Sequence, residues 1–151
     1  MVLAVGALTP AVAQLRWGGG FTVAGVSGSR PLPGAAESPY HLATGGELLL
    51  GGHLGVRGEL ITLEGPTVVL SAAAVARLRD WERAVMQPFL LGGYANVGST
   101  TDGAHGWIVG AGADYLLTDR FGLRGEAVAF EARPAGVGAW PWTVRVGVSF
   151  R

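Results

Sequence analysis

The chain has 151 residues, of which 49% are hydrophobic and only 15% are charged, whereas a soluble domain usually has about 25% charged residues. Its 11 basic residues, all Arg, are balanced by 11 acidic residues, and there is no Cys. These numbers argue against nucleic-acid binding, a disulfide framework and a thiolate metal site. Gly occupies 26 positions, about twice the usual share.

The first segment is short and apolar. It ends on Ala11-Val12-Ala13, a run of small residues that fits a signal-peptide cleavage site. We therefore expect a signal peptide over residues 1–13 and an exported domain over residues 14–151. The basic residues that usually open such a peptide are missing, which we interpret as a start that lies upstream. A buried N-terminal helix is the alternative interpretation.

From residue 15 onward, apolar residues alternate with polar or small ones, which is the period of a β-strand. Eight such segments are predicted, at residues 15–24, 41–50, 53–63, 67–78, 87–97, 107–117, 121–130 and 142–150. Strands of about 10 residues are longer than the usual 5 or 6 and match the length that crosses a bilayer. Eight is also the smallest even number of strands found in bacterial outer-membrane barrels.

In a closed membrane barrel, one face of each strand meets lipid and the other faces the lumen. Buried charges must be paired, and the forked Arg side chain suits such pairing. The charged residues predicted to line the lumen as an ion-pair network are Arg16, Glu47, Arg57, Glu59, Arg77, Asp114, Arg124, Glu126 and Arg145. Inward glycines at positions 18, 20, 45, 55, 92, 110, 112 and 147 are expected to make room for the Arg side chains.

The opposite, apolar face carries large aromatic side chains, several of them near strand ends, as in the aromatic girdles of membrane barrels. The predicted lipid-facing aromatic residues are Trp17, Phe21, Phe89, Trp107, Tyr115, Phe121, Trp142 and Phe150. With the N-terminus in the periplasm, loops 27–39, 99–106 and 132–139 would face outside as contact surfaces. The shorter connections at residues 51–52 and 118–120 would be periplasmic turns. Two connections do not fit this pattern. The connection at 64–66 is short although it would face outside, and the connection at 79–86 is longer although it would face the periplasm.

Three stretches, residues 87–94, 110–126 and 144–150, carry a family resemblance. In these three stretches, the chain resembles the small OmpA-like and OmpX-like outer-membrane β-barrel proteins of Gram-negative bacteria. This resemblance implies an all-β, eight-stranded antiparallel up-and-down transmembrane barrel in the outer membrane, present as a monomer. It also implies contact with outer-membrane lipid and lipopolysaccharide. The barrel-assembly machinery would recognise the last strand at Phe150, although Arg151 follows the aromatic residue that normally ends this signal.

Motifs for catalysis are scarce. The chain has no G-x-S-x-G, P-loop or H-E-x-x-H motif, and no His-x-Ser pair of the kind used by lipid A deacylases. His41, His53 and His105 are far apart in sequence, so we expect no metal site and no cofactor. The sequence therefore predicts a non-enzymatic protein with a structural or surface-binding role. The alternatives are a lipid A-modifying outer-membrane enzyme and a soluble lipocalin-like carrier with an apolar cavity.

Overall fold

The structure is a computed structural model that describes residues 15–27, 40–63, 68–79, 84–98, 104–130 and 142–151. The predicted signal peptide (residues 1–13) and most of the three predicted contact loops lie outside the described residues. The eight strands are β1 (Leu15–Ser27), β2 (Tyr40–Leu50), β3 (Leu54–Leu63), β4 (Val68–Arg77), β5 (Met86–Gly98), β6 (Ala104–Leu116), β7 (Phe121–Phe130) and β8 (Trp142–Phe150). The predicted number and order of strands are confirmed.

The strands form one closed antiparallel barrel in which each strand pairs with its neighbours in sequence. β1 closes the sheet by pairing with β8, from Gly20 opposite Phe150 to Ser27 opposite Thr143. Closure leaves no sheet edge, so every strand has a hydrogen-bonding neighbour on both sides. The predicted all-β, up-and-down barrel is therefore confirmed. Within the described residues, no helix is long and apolar enough to cross a membrane.

The two ends of the barrel differ in their connections. The turns at residues 51–53 and 117–120 lie at the end where β1 begins and β8 ends. We call this the turn end, and the opposite end the loop end. At the turn end, the Thr118 hydroxyl accepts a hydrogen bond from the Phe121 amide at 3.0 Å. A threonine hydroxyl used in this way stabilises a short turn.

A bulge in β1 reverses the facing of the strand. The pairing with β2 shifts between Trp17 and Gly19, so that Gly18 has no partner residue, and Gly19 has a φ of 116°. An extra residue moves the following side chains to the other face. Trp17 therefore points outward, whereas Phe21 is fully buried inside the barrel. The prediction that Phe21 faces lipid is wrong because the alternation was followed through the bulge.

The facing of β5 was also predicted in the wrong sense. Phe89 is buried in the lumen, whereas Tyr94 and Asn96 are exposed on the outside. β5 contains no charged residue, and the sequence prediction took its polar residues as the inward set. Gly92, predicted to be inward, also lies on the outward face, where an added Cβ would meet nothing within 4 Å.

Candidate functional site

Eight charged side chains from six strands lie in the lumen, each no more than 5% exposed. We call this set the charged layer; it consists of Glu47, Arg57, Glu59, Arg77, Asp114, Arg124, Glu126 and Arg145. Four Arg and four acids give it no net charge. Arg16, the ninth residue predicted for this network, is instead exposed near the turn end, where it pairs with Leu49. Arg16 is the second residue of β1, so it lies at the turn end of the barrel rather than among the buried charges.

Most of the charged layer lies towards the turn end, whereas Arg145, which pairs with Gly25 of β1, lies nearer the loop end. β2, β4 and β6 run from the loop end to the turn end, and their charges come late in each strand, at Glu47, Arg77 and Asp114. β7 runs the other way, and its charges, Arg124 and Glu126, come early. Late positions in one strand lie beside early positions in an antiparallel neighbour, so these charges reach a similar level of the barrel.

Glu126 is the most connected carboxylate of the charged layer. It accepts two hydrogen bonds from Arg57, of 2.7 and 2.9 Å, and lies 3.4 Å from Arg124 and 3.3 Å from Arg145. The fork-to-fork contact with Arg57 is the strongest geometry available to these two groups. Glu126 therefore holds together three guanidinium groups from three different strands.

The remaining contacts make the charged layer continuous. Glu47 accepts hydrogen bonds from Arg77 and, at 2.6 Å, from Arg124. Arg77 also donates to Asp114 at 3.1 Å. Glu59 joins the other end of the layer through ion pairs with Arg57, at 2.9 Å, and with Arg145. Buried charges are tolerated when each has a partner of opposite sign in good geometry.

Gln87 extends this network and was not predicted from the sequence. Its side chain is fully buried at the turn end. Its amide oxygen lies 3.5 Å from the Arg77 guanidinium, and its amide nitrogen donates to the Ala84 carbonyl at 2.9 Å. The pairing of Gln87 with Asp114 across β5 and β6 could have indicated its inward position, had that register been known.

The part of the lumen nearer the loop end is mostly apolar, although the polar side chains of His41, Ser71 and Thr143 are also buried there. We call this second set the apolar layer; it consists of Phe21, Val23, Ala43, Ile61, Val69, Ala73, Val75, Phe89, Leu91, Ala95, Ile108, Val128 and Phe130. On β3 and β7, which run towards the loop end, the apolar residues follow the charged ones. The lumen is therefore filled by two layers, rather than by a charged network alone as the sequence predicted.

Phe21 and Phe89 join the two layers. The guanidinium carbons of Arg57 and Arg124 lie 4.0 and 4.2 Å from the centre of the Phe21 ring. Arg124 also lies 4.5 Å from the Phe89 ring centre, with Arg77 at 5.6 Å. Such cation–π contacts are favourable, and more so when the groups are withdrawn from water. Phe21 and Phe89, both predicted to face lipid, thus lie in the lumen. They come from β1 and β5, the two strands that contribute no charge to the charged layer.

Two inward glycines make room for these rings. A Cβ added to Gly45 would lie 2.5 Å from Cζ of Phe21, and one added to Gly112 would lie 2.6 Å from Cζ of Phe89. Contacts that short do not occur between carbon atoms in folded proteins. Gly45 and Gly112 therefore accommodate aromatic rings, whereas the sequence prediction assigned the space to Arg side chains.

The outward face is apolar over most of its height. Six of the eight predicted outward aromatic residues are 44 to 61% exposed on this face: Trp17, Trp107, Tyr115, Phe121, Trp142 and Phe150. Tyr40 and Tyr94 add two more exposed rings near the loop end. Between the two ends, the outward positions of the described strands hold no Arg, Asp or Glu. Aromatic rings at both ends of an apolar band are typical of membrane barrels.

The three histidines lie in different places. His41 is buried on the lumen side of β2, His53 lies in the turn before β3 with Nδ1 3.2 Å from the Arg77 carbonyl, and His105 faces outward on β6. Over the described ranges, no group of three or more His, Cys, Asp or Glu side chains is placed to hold a metal ion.

Comparisons with solved structures place this barrel in a known fold class. The chain is similar to the N-terminal β-barrel domain of Pseudomonas aeruginosa OprF, with a TM-score of 0.59 and 13% identity over 89% of this chain and 98% of that one. It is similar to the P. aeruginosa outer membrane protein OprG, with a TM-score of 0.60 and 11% identity over 87% and 95%. A de novo designed transmembrane β-barrel gives a TM-score of 0.65 and 14% identity over 89% and 96%.

These similarities establish the fold, which is that of the eight-stranded transmembrane β-barrels. The predicted fold class and the resemblance to outer-membrane barrels are confirmed at that level. No protein-family model matches the chain, and no curated protein matches it in sequence. Because a designed barrel is as similar as the natural ones, the shared features are those that any closed barrel of eight strands requires.

Proposed function

We propose that the chain is an integral outer-membrane β-barrel protein of a Gram-negative bacterium. The observation that carries this proposal is the distribution of charge: eight charged side chains lie inside the barrel, and the outward face between the aromatic rings has none in the described strands. A protein in water would gain by the opposite arrangement. A bilayer requires the arrangement seen here, since a charge on the lipid face is unfavourable.

We further propose a structural or surface-binding role rather than transport through the lumen. The charged layer and the apolar layer both fill the interior, and an eight-stranded barrel is only wide enough for its own side chains. Binding would then take place on the outer loops, residues 27–39, 99–106 and 132–139. The carboxylates of the charged layer are engaged by guanidinium groups, which supports a stabilising role for them rather than a catalytic one.

The filled lumen also argues against the alternative of a soluble carrier. A lipocalin-like carrier needs an apolar cavity in the lumen and a polar outer surface. Here the apolar layer consists of side chains in mutual contact, and the exposed surface carries large apolar residues such as Val146 and Leu70. The proposed partners are outer-membrane lipid, lipopolysaccharide and, at β8 with its terminal Phe150, the barrel-assembly machinery.

Fractionation combined with gel mobility tests the proposal. The chain expressed in a Gram-negative host should be recovered in the outer-membrane fraction. It should migrate differently on SDS gels before and after boiling, because the folded barrel resists SDS. It should refold in detergent and not in plain buffer. A stable monomer in buffer without detergent would contradict the membrane location.

Electrical recording tests the closed lumen separately. The refolded protein in a planar bilayer is expected to give no sustained ion current. A steady current that is absent from protein-free bilayers would contradict the proposed structural role while leaving the membrane location intact.

A further inference from the structure

One part of the outward face differs from the rest. Asn96 on β5 and His105 on β6 lie directly opposite each other and both point outward. His105 is the only outward-facing residue in the loop-end half of the described strands that can carry a positive charge. Other polar residues of this face are Thr side chains, of which Thr44 and Thr62 donate to backbone carbonyls of neighbouring strands.

Aromatic rings surround this polar pair. The rings of Tyr94 and His105 are stacked, with centres 6.1 Å apart and planes inclined by 27°. Tyr94 also contacts Trp107 edge to face, with centres 6.3 Å apart. Tyr94 and Trp107 remain 45% and 59% exposed. We call the set Tyr94, Asn96, His105 and Trp107 the rim patch, since it lies at the loop end of the barrel.

The spacing along β6 gives the depth of the rim patch in a bilayer. Ten residues separate Tyr115, an outward aromatic residue near the turn end, from His105. At about 3.3 Å per residue and a tilt of about 45°, these ten residues span about 23 Å of bilayer. The apolar band of a membrane barrel is about 25 Å tall. With Tyr115 at one boundary of this band, His105 lies close to the other boundary, within reach of the headgroups.

The chemistry of the rim patch suits a phosphorylated sugar. An exposed indole or phenol ring offers an apolar face on which the carbon face of a sugar can lie. The Asn96 amide can donate to and accept from hydroxyl and amide groups. A protonated imidazole can form a charge-assisted hydrogen bond with a phosphate. A glycerophospholipid offers a phosphate to the imidazole but no sugar face to the aromatic rings.

We propose that the rim patch binds the phosphorylated glucosamine headgroup of lipid A in the outer leaflet. This inference rests on the proposed outer-membrane location, which places the loop end at the cell surface. The opposite side of the same rim provides an internal comparison. Trp142 and Tyr40 are exposed there, beside Val26 and Val144, without an outward imidazole or amide among the described strand residues.

Native mass spectrometry of the folded full chain in detergent tests the proposal. The protein is mixed with equal amounts of bis-phosphorylated lipid A and phosphatidylglycerol, and the lipid retained on it is measured. The wild type is expected to retain lipid A in preference to phosphatidylglycerol. Asn96→Ala combined with His105→Ala should lower lipid A retention about tenfold, from loss of a charge-assisted and a neutral hydrogen bond.

Matched tryptophan variants provide an independent measurement. Trp107→Leu should lower lipid A retention, whereas Trp142→Leu, at an outward aromatic position of the same rim, should not. Equal effects of the two variants, or unchanged retention in the Asn96 and His105 double variant, would overturn the proposal. So would equal retention of lipid A and phosphatidylglycerol by the wild type. The heat-dependent gel shift of each sample reports barrel folding separately, so a failure of the membrane proposal is distinguishable from a failure of the lipid A site.

Discussion

The charged layer and the apolar layer occupy the same lumen but are held by different forces. In the charged layer, directional contacts link four Arg and four acids from six strands. In the apolar layer, side chains such as Ile61 and Ile108 are buried without any polar partner of their own. The two layers together show that the inward and outward faces of a membrane barrel are not distinguished by hydrophobicity alone. Only charge separates them reliably, because lipid excludes charge and the lumen does not.

The two layers should also respond differently to substitution. A charge removed from the charged layer leaves its partners buried without compensation, which is costly. A methylene removed from the apolar layer leaves a small cavity, whose cost depends on how far the neighbours relax. Each of the following changes is measured as the free energy of unfolding by urea titration, in lipid vesicles for the Val146 variants and in detergent micelles for the others.

The largest effect is expected at the centre of the charged layer. Glu126→Ala leaves Arg57, Arg124 and Arg145 with one fewer carboxylate and should destabilise the barrel by about 3–5 kcal/mol. Asp119→Ala, in an exposed turn, serves as the control and should change stability by less than about 0.5 kcal/mol. Equal stability of the two variants would show that the charged layer does not hold the strands together.

A charge added to the outside compares the lumen with the lipid face. Val146 is 65% exposed in the middle of β8, next to the buried charge of Arg145. Val146→Arg should destabilise the membrane-inserted barrel by about 2–4 kcal/mol, measured in lipid vesicles. Val146→Leu is the control and should be close to neutral. If Arg is tolerated at this position, the assigned outward face is not in contact with lipid.

A pair of neighbouring glycines tests how the two layers meet. Gly112 faces inward against Phe89, whereas Gly125 faces outward, and a Cβ added there would meet nothing within 4 Å. Gly112→Ala should cost about 1–3 kcal/mol through overpacking, and Gly125→Ala less than about 0.5 kcal/mol. A larger loss of stability in Gly125→Ala than in Gly112→Ala would mean that the inward glycine does not accommodate the aromatic ring.

The smallest effect is expected within the apolar layer. Ile61→Val removes one methylene from a fully packed position and should cost about 0.5–1.5 kcal/mol. Leu60→Val makes a comparable change at the adjacent outward position, where the lost contacts are with lipid or detergent, and its effect should be smaller. Similar losses at the two positions would indicate that the apolar layer is loosely packed.

The sequence was sufficient to predict the eight strands and their order. Eight of the nine charges predicted to face inward are buried in the lumen, because an inward charge marks the inward face of its strand. The sequence was insufficient to predict which side chains face inward along all of β1 and β5. In β1, the bulge at Gly18 changes the facing within a run of three glycines, and no residue type there marks the change. In β5, both faces are largely apolar, and the polar residues Tyr94 and Asn96 face outward while Phe89 and Leu91 face the lumen, so polarity does not mark the inward face.

The division of the lumen into two layers follows from strand register, which the sequence pattern does not contain. Glu126 meets Arg57 only because β3 and β7 face each other across the lumen at matching heights. The alternating pattern predicts which residues point inward, but not which of them reach the same level.

A spin label at Val146 distinguishes a lipid-facing exterior from a water-facing one, and the absence of native Cys allows a single Val146→Cys substitution to carry it. In lipid vesicles, collision rates with molecular oxygen, which concentrates in hydrocarbon, are compared with those of a water-soluble nickel complex. For a label that faces lipid, high accessibility to oxygen and low accessibility to the nickel complex are expected. High accessibility to the nickel complex would show that the outward face meets water, and would contradict the assignment of a charged interior and a lipid-facing exterior.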